Sequence, residues 1–339
     1  MSIFSNTRFD DDITVIENCN LHLGGAYDIV AESCDDDLAI VEAMHAYDIA
    51  ELEAMKESGT SVGFEATPAM EAASKGVWAK IKEFFAKLKN KIIAFFNSVV
   101  QYIDAFVKSG SEFAKKYKDR LNKLKLSNFY YEMYRYDYHS VFASDLSKID
   151  KYQQDVKDNI AEVNKVDIKN SSAGVQLAKI SQKHTDANDK NVSALRKELS
   201  GSTSADEFRQ GVAKKFRGGN GKKRQSITNL SDYIKKLEAS DGLMAYIGKC
   251  RDGVKSKFAD IEKMINESAN EVENGDIGEN SEFASAASKK AAAMRINLKY
   301  TSAVNSVMTV YINEWASAVR EATGVYKKLC VAALQHKNK

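Results

Sequence analysis

Residues 67–108 read TPAMEAASKGVWAKIKEFFAKLKNKIIAFFNSVVQYIDAFVK, and this stretch decides the fold class. Thr67 supplies a capping hydroxyl. Pro68, the single proline of the chain, suits the first helical position, where a missing N–H leaves no bond unmade. Beyond it, Trp78, Ile81, Phe84, Phe85, Leu88, Ile92, Phe95, Phe96, Val99, Ile103 and Phe106 recur at helical spacing and form a broad apolar stripe. Lys75, Lys80, Lys82, Lys87, Lys89 and Lys91 decorate the other side of the first half. The pattern predicts a helix to about residue 108, then a shorter basic helix over 111–126.

Working outward, the rest of the chain repeats the helical theme. One proline in 339 residues permits long uninterrupted helices, because proline removes a donor and clashes with the preceding turn. Periodicity predicts helices near 35–56, 144–166, 173–199, 204–216, 226–239, 242–273 and 282–336. Loop chemistry separates the later ones: Asn170-Ser171-Ser172, Gly201-Ser202, Gly218-Gly219-Asn220-Gly221 and Asn274-Gly275. Residues 128–142 are rich in aromatic side chains, and the alternation of Tyr134, Tyr136 and Tyr138 suits a short β element near 129–138, with a tyrosine-packed helical turn as the alternative. The small-residue run over 284–293, followed by Ile296, Tyr300, Val304, Val307, Tyr311 and Trp315, reads as a packing seam, with 242–273 as its expected hairpin partner. The expected fold is mainly α: an elongated multi-helix bundle with long helices behind an acidic, poorly ordered N-terminal region.

Charge divides the chain more sharply than hydropathy does. The overall balance is +2, yet residues 1–71 hold 16 acids and two bases, Arg8 and Lys56, for −14. The remaining 47 bases and 31 acids give +16. Such asymmetry points to two pieces with different partners, or to one piece that masks the other until it is removed. The organisation expected is therefore an acidic propeptide-like segment over 1–71, a basic amphipathic helical segment over 72–126 and a helical body over 127–339.

Several function classes find no support in the residues. The cysteines Cys19, Cys34, Cys250 and Cys330 form no CxxC pair or zinc spacing and read as free thiols of a reducing compartment. The opening residues lack a basic-then-apolar signal pattern, so secretion by that route is not expected. The longest uncharged apolar stretch, 92–103, is shorter than the roughly 20 residues a bilayer span needs. The five histidines, His22, His45, His139, His184 and His336, sit in no metal or nucleophile motif, and no carboxylate pair stands out on an apolar face. No catalytic residue, cofactor or metal ligand is assigned, and a non-enzymatic role is expected.

Two basic features could bind. Arg217, Lys222, Lys223 and Arg224 flank a glycine-rich run that could neutralise phosphates, although the spacing is not that of a Walker loop and a solvated interhelix loop is the favoured reading. Segment 75–126 holds 13 bases and four acids beside its apolar stripe. That pattern is found in membrane-surface helices, here over 77–108, but a core helix with lysines on its wet face is the stronger reading because the stripe is wide enough for burial against other helices.

The remaining signal lies at the charge boundary. Ala69-Met70-Glu71 precedes Ala72, Gly63-Phe64-Glu65 precedes Ala66, and Ile40-Val41-Glu42 precedes Ala43. Each is a small or aliphatic residue, any residue, glutamate, then alanine; Glu51-Leu52-Glu53 before Ala54 departs at its first position. The last site falls where the acidic segment stops. This arrangement, with the aromatic-lysine opening Gly76-Val77-Trp78-Ala79-Lys80-Ile81-Lys82-Glu83-Phe84-Phe85, resembles the internal head proteins of large tailed bacteriophages, of the T-even and giant-phage kinds. The resemblance covers the first third of the chain. It implies removal of the propeptide by a prohead protease, assembly with capsid or scaffold proteins, and a mature body inside the virion after a cytoplasmic stage in the host. The positive body would meet packaged DNA without base readout.

Overall fold

The computed structural model describes residues 68–238, 240–275 and 281–336, with side chains from Gly76 onward except at 240, 241 and 281. The expected helix at 35–56 and the pairs Glu42/Ala43 and Glu65/Ala66 lie outside the described residues. Seven helices and two strands follow in order: α1 (Pro68–Asn122), β1 (Tyr130–Met133), α2 (Tyr138–Asn164), α3 (Ala173–Ser200), α4 (Ala205–Arg217), β2 (Lys223–Ser226), α5 (Ser231–Glu238), α6 (Ser240–Glu273) and α7 (Ser281–Gln335). The fold is mainly α, as expected. With 55 residues each, α1 and α7 run about 80 Å at 1.5 Å per residue, which makes the bundle elongated.

The apolar stripe of α1 does what its width implies. Trp78, Ile81, Phe96, Val99 and Ile103 are fully buried, and the stripe packs against α5, α6 and α7. Helix α6 runs antiparallel to α1, joined by Lys82–Glu273 and Lys89–Glu262 ion pairs and by Phe85 edge-on to Phe258. Helix α2 packs on α6 and α7, so α1, α6, α2 and α7 form the four sides of a bundle. Helices α3 and α4 add a further layer against α2 and α7.

The expected hairpin between 242–273 and 282–336 is corrected here. Helices α6 and α7 lie diagonally across the bundle: α6 packs on α1 and α2, and α7 packs on α3 first, then on α1 and α2. Across that diagonal, the fully buried Lys290 ammonium reaches Glu271 of α6 at 2.5 Å and the Val166 carbonyl at 2.8 Å. The other Glu271 oxygen accepts the Ile168 N–H at 2.9 Å. One lysine and one glutamate thus satisfy backbone groups left open beyond the end of α2.

Helix α7 is buried on most of its circumference, which explains its apolar and small-residue composition. Several of its polar side chains donate within the helix, while the amide oxygens of Asn297 and Asn305 have no partner among the described residues. Asn297, Thr301 and Asn305 each donate to the carbonyl four residues earlier, at 2.7–2.9 Å. Ala286, Ala287, Ala291 and Ala293 are buried, so the small residues do serve packing.

Two boundaries differ from the sequence reading for identifiable reasons. The two helices expected over 67–108 and 111–126 are one, α1, and Gly110 lies within it. A Cβ at Gly110 would stand 3.2 Å from the Thr323 methyl and 3.3 Å from the Leu237 carbonyl. The glycine is there for close approach between α1, α5 and α7, not to end a helix. A short β element does lie within 129–138, as expected, but not on the Tyr134, Tyr136, Tyr138 alternation. Strand β1 precedes those residues and pairs antiparallel with β2, Tyr130 opposite Ser226 and Met133 opposite Lys223. The loop and helix start expected over 218–226 therefore contain a strand, and the next helix begins only at Ser231.

Candidate nucleic-acid interface

The ribbon holds together one end of the bundle. The Ile227 N–H donates to the Phe129 carbonyl and the Asp137 N–H to the Phe216 carbonyl, both at 2.9 Å. The His336 ring, at the end of α7, hydrogen-bonds the Ser127 carbonyl at 3.0 Å and packs on Phe129. Tyr326 of α7 meets Tyr136 and Tyr233, and Lys118 of α1 pairs with Glu238 of α5 at 2.8 Å. Segments 109–137, 214–226, 231–238 and 320–336 therefore share one end. Gly218 makes the last turn possible: it terminates α4 in the left-handed region, φ 66°, where a Cβ would collide with the Arg135 carbonyl.

These four segments hold 18 bases and seven acids, a balance of +11 out of the +16 carried after residue 71. The exposed side of the ribbon carries Tyr130, Glu132, Arg224 and Ser226. Arg224 lies over the Tyr130 ring at 4.6 Å, and Tyr130 remains 48% exposed. Lys222 stands over Tyr134 at 5.8 Å. Lys123, Lys222, Lys223 and Arg224 make no ion pair among the described residues, and all four are exposed.

The four bases singled out in the sequence divide by role. Lys222, Lys223 and Arg224 lie together on and before β2. Arg217 instead is half-buried, donates to Glu321 at 2.8 Å and lies over Tyr134 at 5.8 Å. It fastens α4 to α7 and is less available to a ligand. Lys115, Lys116, Lys123 and Arg135 belong to the same end but were not assigned from sequence. They sit about 100 residues from Lys222, and only pairing of β1 with β2 brings them together.

Other polar groups are structural. Asp145 is fully buried and accepts from Lys148 at 2.7 Å, Lys215 at 2.6 Å and the Tyr311 hydroxyl at 2.8 Å. Burial, together with that carboxylate, pushes the Tyr311 phenol far up. His184, also buried, lies between Glu162 at 3.0 Å and Asn297 at 2.9 Å. Glu162 is held below its ordinary value by Lys183 first, with His184 adding to the effect. Among the described residues no group of three His, Cys, Asp or Glu side chains could hold a metal ion. A cavity about the size of one water molecule lies between α2, α6 and α7, lined in part by Gln153, Lys257, Thr301 and Asn305.

Glu71 and Ala72 fall in the first turn of α1. A protease needs extended chain, so a cut there requires that turn to unwind. A first turn is the cheapest to open, because its N–H groups have no partners within the helix. The apolar face of 77–108 is core, so membrane insertion through it requires α1 to leave the bundle. No helix of the described residues is long and apolar enough to cross a membrane. Comparisons with protein-family models, curated proteins and solved structures find no match.

Proposed function

We propose that this chain is a structural protein of a virion interior, an internal head protein whose acidic segment is removed by a prohead protease and whose helical body then associates with DNA through its basic end. The observation that carries the reading is the +11 balance gathered at one end of the bundle from segments far apart in sequence. The Glu–Ala boundary sites and the phage resemblance supply the setting. Binding of this kind is electrostatic: bases displace condensed counterions, and no base edge need be read. Arg224 and Lys222, held over tyrosine rings, present charge on a fixed ribbon instead of a mobile loop.

Intact mass and N-terminal sequencing of the protein recovered from its native particle test the setting. A start at Ala43, Ala66 or Ala72 is expected, and a chain that keeps residues 1–42 in mature particles refutes processing. Duplex binding across a salt series tests the chemistry. Replacing Lys123, Lys222, Lys223 and Arg224 by alanine should flatten the salt slope by roughly three to four, at about 0.9 for each phosphate no longer neutralised. An unchanged slope places the binding surface elsewhere.

A further inference from the structure

The basic end also faces a polyanion within its own chain. We infer that residues 10–37 dock on this end in the uncut protein and compete there with nucleic acid; the inference rests on reading that end as the polyanion site.

Three observations lead to it. Residues 10–37 contain nine acids and no base, including the runs Asp10-Asp11-Asp12 and Asp35-Asp36-Asp37. The basic end is the complementary surface of the body. By contrast, bases near the start of α1 already have carboxylate partners: Lys82 with Glu273, Lys87 with Glu83 and Lys89 with Glu262.

Tether length then selects which acids can reach. Lys115 lies 47 residues after Pro68 along one continuous helix, about 70 Å at 1.5 Å per residue. Chain before Pro68 spans at most about 3.4 Å per residue. Asp37 stands 31 residues before Pro68, a reach of about 105 Å, and Asp12 stands 56 before it, about 190 Å. Asp48, Glu51, Glu53, Glu57 and Glu65 fall short of about 70 Å even when fully extended, and Glu71 belongs to the first turn of α1 itself. The acids nearest the body are therefore the ones that cannot mask it.

This gives the processing sites unequal weight. A cut after Glu42 separates every acid of 10–37 from the body. Cuts after Glu65 or Glu71 add nothing further to the exposure of the basic end. The Glu42–Ala43 bond is the switch, and the later bonds trim.

The test uses full-length chain and a full-length variant with Asp10, Asp11, Asp12, Asp35, Asp36 and Asp37 changed to Asn. Zero-length carboxyl–amine cross-linking, read by mass spectrometry on the monomer band, should join residues 10–37 to Lys115, Lys116, Lys123, Lys222 or Lys223. Links from the remaining Glu17, Asp28 and Glu32 should weaken in the variant, and all links should weaken at high salt. The variant should bind a labelled duplex roughly tenfold more tightly at low salt, with the gap closing as salt rises. Links confined to Lys80–Lys91 or absent altogether, with equal duplex binding by both proteins, overturn the docking and leave the polyanion reading standing. Specific links without duplex binding by either protein support the docking and sink the polyanion reading.

Discussion

Replacing Asp145 tests whether the layer carrying the basic end is held by one buried carboxylate. Asp145 of α2 joins Lys148 of the same helix, Lys215 of α4 and Tyr311 of α7. Lys215 also donates to the Leu199 carbonyl at the end of α3, so four helices meet at this point. Removing one partner of a fully buried ion pair costs roughly 3–5 kcal/mol. Here the two lysine side chains are 37% and 31% exposed and recover part of their hydration. That lowers the charge contribution to about 2 kcal/mol. The Tyr311 hydroxyl is fully buried and would be left without its acceptor, a further cost of about 1–2 kcal/mol. Asp145→Ala should therefore destabilise the chain by about 3–4 kcal/mol in urea unfolding followed by far-ultraviolet circular dichroism. Asp145→Asn keeps one acceptor and should cost about half as much. Hydrogen exchange should place the loosening in α4 and β2 while α1 stays protected. A change under about 1 kcal/mol for Asp145→Ala, or equal costs for Ala and Asn, would refute the argument.

Three further outcomes follow from particular groups. Burial, then the charge of Lys236, hold the His139 imidazole below its ordinary 6.5, against the opposing pull of Asp137. The unfolded chain takes up a proton first as pH falls through about 6.5, so stability declines from there toward the folded value and levels below it; His139→Gln should flatten that slope in denaturant midpoints measured across this window. Gly218→Ala places a Cβ against the Arg135 carbonyl at φ 66° and should cost about 1–3 kcal/mol, with exchange protection falling first in the ribbon; unchanged protection there would show that the turn has room. Burial pushes the Cys330 thiol up to about 12, so a variant with Cys19, Cys34 and Cys250 changed to serine should react with a thiol reagent near neutral pH only as fast as it unfolds, and a rapid phase in the native state would contradict the burial.

How much of this was legible in the sequence depended on whether the deciding interaction was local. The stripe from Trp78 to Phe106 is a property of one helix, so its period identified both the helix and its buried face. The cap-and-glycine breaks at Gly201 and Gly218 were legible for the same reason: both end helices in the left-handed region. The break expected between 108 and 111 is absent because Gly110 admits neighbouring helices, and such a glycine looks in one dimension like one that stops a helix. Strand β2 was invisible because Lys-Arg-Gln-Ser has no β-branched or aromatic residue. Its conformation is set by β1, some 90 residues away.

The same distinction governs the candidate site. Charge counts along the chain revealed a basic body, since a sum needs no fold. They could not show that most of the excess sits at one end, because the lysines of α1, the residues of β2 and the end of α7 meet only through tertiary packing. That packing rests on Gly218, on the Tyr136–Tyr326–Tyr233 ring cluster and on Arg217 bonded to Glu321. Arg217 is the instructive case. In sequence it belongs with Lys222, Lys223 and Arg224 as one basic run. In the fold its charge is turned inward to Glu321, and that bond helps hold the other three facing outward. A charge-neutral replacement of Arg217 should therefore act on binding through the geometry of the ribbon. One of Lys223 should act only through charge.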